Sequence, residues 1–165
     1  MNNHDIKIRE FNVNDQSGVA SLQEEFIKEF FPEFQSDPRQ YDWNADIYDI
    51  EKYYTEHGGM FWVIEKNNSI IGVGGFRLVS PTIAEIKRVR ISINHREKGL
   101  GKTIIRTIED YCRQHKVQKI LVDTDERLTT AKAMYEKLGY TIYKKETEIE
   151  GNESYVNYYF EKDIY

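Results

Sequence analysis

The chain has 165 residues, enough for one domain with a buried core, and carries a formal net charge of −5. That acidic balance excludes a general nucleic-acid binder, whose surface would be basic. The single cysteine, Cys112, excludes an internal disulfide and a cysteine-built zinc site, and it fits a reducing cytoplasm.

The opening MNNHDIKIRE lacks the apolar core of a signal peptide, and no apolar run approaches the length of a membrane span. The expectation is a cytoplasmic protein with no membrane partner. IKIREF reads as a first strand. VASLQEEFIKEFF follows, with Val19, Leu22, Phe26 and Phe30 at helical spacing. FPEFQSDPRQ, flanked by Pro32 and Pro38, reads as a long loop. DIYDIEKYYTE is predicted to form a second helix stopped by Gly58 and Gly59. MFWVIEKNNSIIGVGGFRLV places a polar turn at Lys66 to Ser69 between two apolar runs, the pattern of a β-hairpin.

In TIAEIKRVRISI the apolar parity changes. Ala84 and Ile86 share one face of a strand, whereas Val89, Ile91 and Ile93 fall on the other. One extra residue restores a single buried face, so a β-bulge is predicted near Lys87–Val89. The loop REKGLGKT comes next, and then a helix with Ile104, Ile105, Ile108, Tyr111 and Cys112 on one face. KILVDTD is a buried strand, and TTAKAMYEKLGY a short helix closed by Gly139. TIYKKETEI and SYVNYYFEKDI are the last two strands. No repeat or linker divides the chain, so residues 1–165 are predicted to form one mixed α/β domain.

Glycines at a helix entry let backbone amides approach an anion, and the helix N-terminus adds positive potential. The same glycines can be mere punctuation. The order of features decides between these readings: a bulged strand, a basic glycine loop opening a helix, and a tyrosine in a second helix. Together they resemble the GCN5-related N-acetyltransferase (GNAT) superfamily. Its acetyl-CoA signature, Arg/Gln-x-x-Gly-x-Gly/Ala, reads here Arg96-Glu97-Lys98-Gly99-Leu100-Gly101, and its Ala-x-x-x-Tyr-x-Lys-x-Gly-aromatic motif reads Ala131, Tyr135, Lys137, Gly139 and Tyr140.

The resemblance implies a mostly antiparallel, twisted sheet of about seven strands, with a splayed, bulged fourth strand and helices on both faces. It also implies acetyl-CoA as co-substrate and transfer of acetyl to an amine by direct attack in a ternary complex. The amides around Gly99, Gly101, Lys102 and Thr103 would face the pyrophosphate, with Arg96, Glu97, Lys98 and Leu100 in the same loop. Backbone near Ile91 and Ile93 would pair with the pantetheine arm as an added strand would. Tyr135 takes the place of a general acid for the departing thiolate, and Glu85, at the start of the bulged strand, that of a general base. The bland alternatives are a packing aromatic and a solvated strand end. A family proline is absent at Ile93, and Leu128 stands where many members carry a cofactor-contacting asparagine.

Acceptor recognition has one candidate segment, YDWNADIYDIEKYY. Asp46 and Asp49 there could draw a cationic amine to a rim of aromatic faces, or simply form a solvated helix face. Arg88 and Arg90 beside Lys87 read as a phosphate-facing stripe or a solvated one. Cys112 lies on an apolar helix face and reads as an inert thiol. The four histidines, His4, His57, His95 and His115, show no metal spacing, so no metal is expected. The expected partner is a small-molecule or peptide amine, with no nucleic acid, and the chain is expected as a monomer or homodimer. The competing function is a catalytically silent acyl-CoA-binding or sensor module of the same fold.

Overall fold

A computed structural model describes residues 5–34 and 37–165. The strands are β1 (Ile6–Glu10), β2 (Met60–Lys66), β3 (Ser69–Ser80), β4 (Ile83–Ile91), β5 (Lys119–Asp125), β6 (Thr141–Glu150) and β7 (Glu153–Asp163). The α-helices are α1 (Gln16–Phe30), α2 (Ile50–Tyr53), α3 (Leu100–Gln114) and α4 (Thr129–Lys137). The strands form a seven-stranded sheet in the order β1-β2-β3-β4-β5-β7-β6. Most of its pairings are antiparallel, and β4 runs parallel to β5. Contacts group the chain into two compact units. One runs to Arg77 and resumes over Lys87–Ile108; the other holds Leu78–Ile86 and Glu109–Tyr165.

In the first unit, Asn12 caps the chain where it turns toward α1: its side chain accepts from the Asn14 amide, and Asp15 returns a bond to the Asn12 amide. The stripe on α1 then buries Val19 and Leu22 against Phe61, Val63 and Val73 of the sheet, and Ile47, Ile50 and Tyr54 close over them. Each such side chain contributes about 1.5–3 kcal/mol by leaving water. The β2–β3 hairpin turns where the sequence places it, with Asn67 and Asn68 both left-handed, as a two-residue hairpin turn requires. On the opposite face, Ile64, Val89, Ile91 and Ile104 meet over Gly72 and Gly74, where a Cβ on Gly72 would lie within 2.8 Å of Ile64. Thus α1 and the start of α3 cover opposite faces of this part of the sheet.

The predicted second helix is broken. Asp42–Tyr48 forms a 3-10 helix, Asp49 leaves helical geometry, and α2 is a single turn followed by a 3-10 turn at Thr55–His57. Two side chains account for the break. Asp49 accepts from the Lys52 amide and so caps a new helix start. The Gln16 side chain donates to the Ile47 carbonyl at 2.7 Å and accepts from the Ile50 amide at 3.1 Å, satisfying the backbone on both sides. Of the predicted loop, Gln35 and Ser36 lie outside the described residues.

In the second unit, β5 alternates buried and half-buried residues, sending Ile120, Val122 and Thr124 to the core. Val122 pairs with Phe160 and with Ile86, and Tyr135 of α4 packs on Phe160 from that face. Gly139, at φ 89°, ends α4 as the sequence suggests. Glu109 is buried yet fully served: Lys162 reaches it at 2.8 Å and the Tyr140 hydroxyl donates to it at 2.9 Å.

Candidate active site

The bulge lies where the parity change predicts it. Arg88 adopts φ 60°, a left-handed conformation that costs an arginine about 1–2 kcal/mol. The register of β4 with β5 runs over Ile83–Ile86 and ends there. Before Arg88 the even positions Ala84 and Ile86 are buried; after it the odd positions Val89 and Ile91 pack inward on Gly74 and Gly72. The left-handed residue thus inserts the extra step that sequence alternation requires.

Beyond the bulge, the strand stops at Ile91, and the Ser92 amide donates to the Ile71 carbonyl at 2.8 Å. Ile93–His95 then forms a 3-10 turn with Ile93 51 % exposed, so Ile93 does not extend the strand. Ile91 keeps its strand geometry, although its carbonyl already accepts from Arg96 Nε at 3.0 Å.

Arg96 also meets Glu29 at 2.6 Å and lies over the Phe30 ring. Its guanidinium therefore braces the loop against α1. The loop itself carries two left-handed residues, Glu97 at φ 61° and Gly99 at φ 76°. A Cβ built on Gly99 would meet no atom within 4 Å, so open space faces this residue at the mouth of α3. The first helical bond of α3 runs from the Thr103 amide to the Gly99 carbonyl at 3.0 Å, and the Thr103 hydroxyl donates to the same carbonyl. Leu100, Gly101 and Lys102 therefore present first-turn amides, the geometry that favours an anionic group such as a pyrophosphate. These residues fit the CoA phosphates. His95, next to the loop, has its Nδ1 shielded without a hydrogen-bond partner, and burial followed by the Lys98 and Lys66 charges lowers its pKa.

Within the second unit, Tyr135 and Glu85 occupy opposite faces of the sheet. Tyr135 is 4 % exposed, with its ring 5.7 Å from Tyr140 and 5.8 Å from Phe160. Glu85 is half-buried and pairs in register with Leu121, whose face of the sheet also carries Asp123, Asn157, Tyr159 and Glu148. There Glu148 accepts from the Tyr155 and Tyr159 hydroxyls at 2.9 and 2.8 Å, and Asn157 donates to both Asp123 and Glu148. Burial, with Glu148 beside it, pushes the Tyr159 phenol up to about 12. Sequence reading did not single out this carboxylate–tyrosine face; alternate acidic and aromatic residues across β5, β6 and β7 were its only signal. Leu128 heads α4 with no side-chain cap, where an asparagine would supply one.

Asp46 and Asp49 part company. Asp49 is exposed and caps α2. Asp46 is only 7 % exposed; it accepts from the Tyr54 hydroxyl and forms two bonds with Arg88, at 2.6 and 3.0 Å. Burial alone would raise its pKa, but Arg88 and Tyr54 outweigh that and hold the carboxyl below its ordinary 3.8. Its contribution to stability is therefore complete above that value and fades as acid titrates the pair. Asp46 is not part of a solvated acidic rim, because its charge is already spent on Arg88. Arg88 and Arg90 likewise form neither a phosphate stripe nor a solvated one. Arg90 reaches Gln23 at 3.2 Å and lies 3.7 Å over the Phe26 ring.

Cys112 is fully buried, and burial followed by the Glu109 charge pushes its thiol up to about 12. The folded chain at pH 8 is expected to resist maleimide labelling over minutes, and guanidinium to release its single reactive thiol. Fast labelling of the folded chain would reinstate a reactive cysteine. Among the described residues, no group of three or more His, Cys, Asp or Glu could hold a metal, and no helix is long and apolar enough to cross a membrane. A polar cavity of about 640 Å3 opens in the first unit between Ser17, Ser21 and Glu25 of α1, the β2–β3 turn and Ser92. It contains none of the predicted site residues.

Residues 19–140 match the acetyltransferase (GNAT) family. The chain is 31 % identical over 103 residues to human N-acetyltransferase 8, covering 58 % of this chain and 45 % of that protein, so it spans less than half of that relative. Its fold is similar to a GNAT-family acetyltransferase from Staphylococcus aureus, with a TM-score of 0.81 at 18 % identity over 97 % of this chain and 99 % of the other. It is also similar to a putative acetyltransferase from Salmonella typhimurium solved with its cofactor acetyl-CoA, with a TM-score of 0.78 at 14 % identity over 96 % and 94 % of the two chains.

Proposed function

The chain belongs to the acetyltransferase (GNAT) family, and we propose that within it the protein is an acetyl-CoA-dependent N-acetyltransferase acting by direct attack of an amine on the thioester. The observation that carries this reading is the mouth of α3, where left-handed Gly99 faces open space and first-turn amides are presented in the signature order. The relatives named N-acetyltransferases and the acetyl-CoA-bound neighbour support it.

A lysine-like amine is protonated near neutrality, and populating its free base costs roughly 4 kcal/mol. Glu85 is the group proposed to take that proton, directly or through water. Tyr135, on the other face, is proposed to return a proton to the sulfur. The two tasks act on different atoms, the amine nitrogen and the thioester sulfur, so each is assigned its own residue. Carboxylates and phenols on the Glu85 face favour a cationic amine, small or peptide-borne, over a neutral one.

Labelled acetyl-CoA offered with a panel of amines tests the assignment. Transfer of label to an amine is the expected outcome. Tight binding of acetyl-CoA without transfer to any amine would favour the silent acyl-CoA-binding reading, and no binding would remove both.

A further inference from the structure

We propose that Arg88 and Asp46 form a latch that holds the left-handed bulge of β4 and ties it to the Asp42–Tyr48 segment, so that the pair sets acetyl-CoA affinity without touching the ligand. The inference rests on the reading of β4 as the strand that meets acetyl-CoA. It starts from a conflict at one residue. A glycine would adopt φ 60° freely, but position 88 holds an arginine, and an arginine left to its own preference returns to extended geometry and erases the bulge. Something must hold it there.

The guanidinium supplies the hold. Nη2 and Nε each reach the Asp46 carboxylate, and Nη2 also donates to the Trp43 carbonyl. The Arg88 side chain is 13 % exposed, so these bonds are shielded from solvent. Asp46 is fixed in turn by the Tyr54 hydroxyl, and Tyr54 is fully buried in the core under α1. The planar fork of arginine suits this two-point grip, which a lysine cannot reproduce. Two residues on, Arg90 makes a second tether: it bonds to Gln23, and Gln23 donates to Asn44 at 3.0 Å. Asn44 and Asp46 sit in the same 3-10 helix, so Arg88 in the bulge and Arg90 after it secure one segment to one stretch of strand.

A buried ion pair is weak as a source of stability, because desolvation opposes its attraction. Its directional bonds can nevertheless select one backbone geometry. The second tether also means that loss of the first need not unfold the unit. The pair is thus a positioning device, with Arg88 setting the torsion and Asp46 setting Arg88.

The test measures acetyl-CoA affinity by calorimetry, well below the melting temperature, for wild type, Arg88→Gln, Asp46→Asn, the double variant and Arg88→Gly. Each single change is expected to weaken binding by about tenfold or more, and the double variant no more than either single, because the two act as one unit. Arg88→Gly relieves the torsional conflict but removes the grip, and it is expected to weaken binding as much as Arg88→Gln. Should the neutral variants fail to melt cooperatively, Arg88→Lys supplies the reading, with an affinity loss of about two- to tenfold. Lower melting temperatures with affinities within twofold of wild type would overturn the latch and leave a merely structural pair. Additive losses, or full affinity in Arg88→Gly, would overturn it as well. A wild-type chain that fails to bind acetyl-CoA would instead overturn the cofactor reading itself, and the latch with it.

Discussion

Tyr135→Phe is expected to lower kcat by about ten- to a thousandfold while acetyl-CoA affinity stays nearly intact, the range that a positioned general acid supplies. The ring is buried between Tyr140 and Phe160, so the phenylalanine keeps the packing and removes only the hydroxyl. Unchanged melting temperature is part of the expectation, and it separates chemistry from folding. The complementary change, Glu85→Gln, should suppress the rate most at neutral pH and recover as rising pH deprotonates the amine without help. Full kcat in Tyr135→Phe, with chemistry shown to limit the rate, would reduce the tyrosine to packing. The pH signatures should differ because one residue gives a proton to the sulfur while the other takes one from the amine, whose own ionisation rising pH replaces.

Local sequence pattern carried the parts of this fold that depend on neighbours along the chain. The parity change in TIAEIKRVRISI located the bulge because strand alternation leaves only one way to bury both apolar sets. The Asn67–Asn68 turn and the Gly139 stop were equally visible, since asparagine and glycine are the types that favour left-handed geometry. What escaped was set by distant partners. The break between Tyr48 and Ile50 depends on the amide of Gln16, more than thirty positions away along the chain. Asp46 looked like a solvated carboxylate because nothing within its own segment reveals that Arg88 covers it. Nor does the loop's own sequence reveal that Glu29, carried on α1, pairs with Arg96 and braces the loop. Short-range rules thus located the turns and the signature, whereas the charge state of the surroundings had to come from the folded chain. This is why a motif can place a glycine loop at a helix entry and still misjudge an acidic rim.

The loop at the mouth of α3 should show the largest loss of binding. Gly99→Glu and Gly101→Glu are each expected to weaken acetyl-CoA binding by at least about a hundredfold, equivalent to about 2.7 kcal/mol. At Gly99 the new side chain enters the open space beside the first-turn amides and sets a negative charge against the phosphates. Its left-handed φ of 76° would also strain any side chain, so this variant alone confounds torsion with occupancy. Gly99→Asn separates the two effects, because asparagine tolerates left-handed geometry and is neutral. It should preserve the melting temperature and lose affinity to a smaller degree. Gly101 offers a cleaner test still. It lies inside α3, where replacing glycine favours the helix by about 0.5–1 kcal/mol, and an acid in the first turn also suits the helix dipole. Gly101→Glu is therefore expected to melt no lower than wild type while binding is lost, a combination that damage to the fold cannot produce. Undiminished affinity in both glutamate variants would show that the glycines merely shape a turn, and the anion site would have to lie elsewhere.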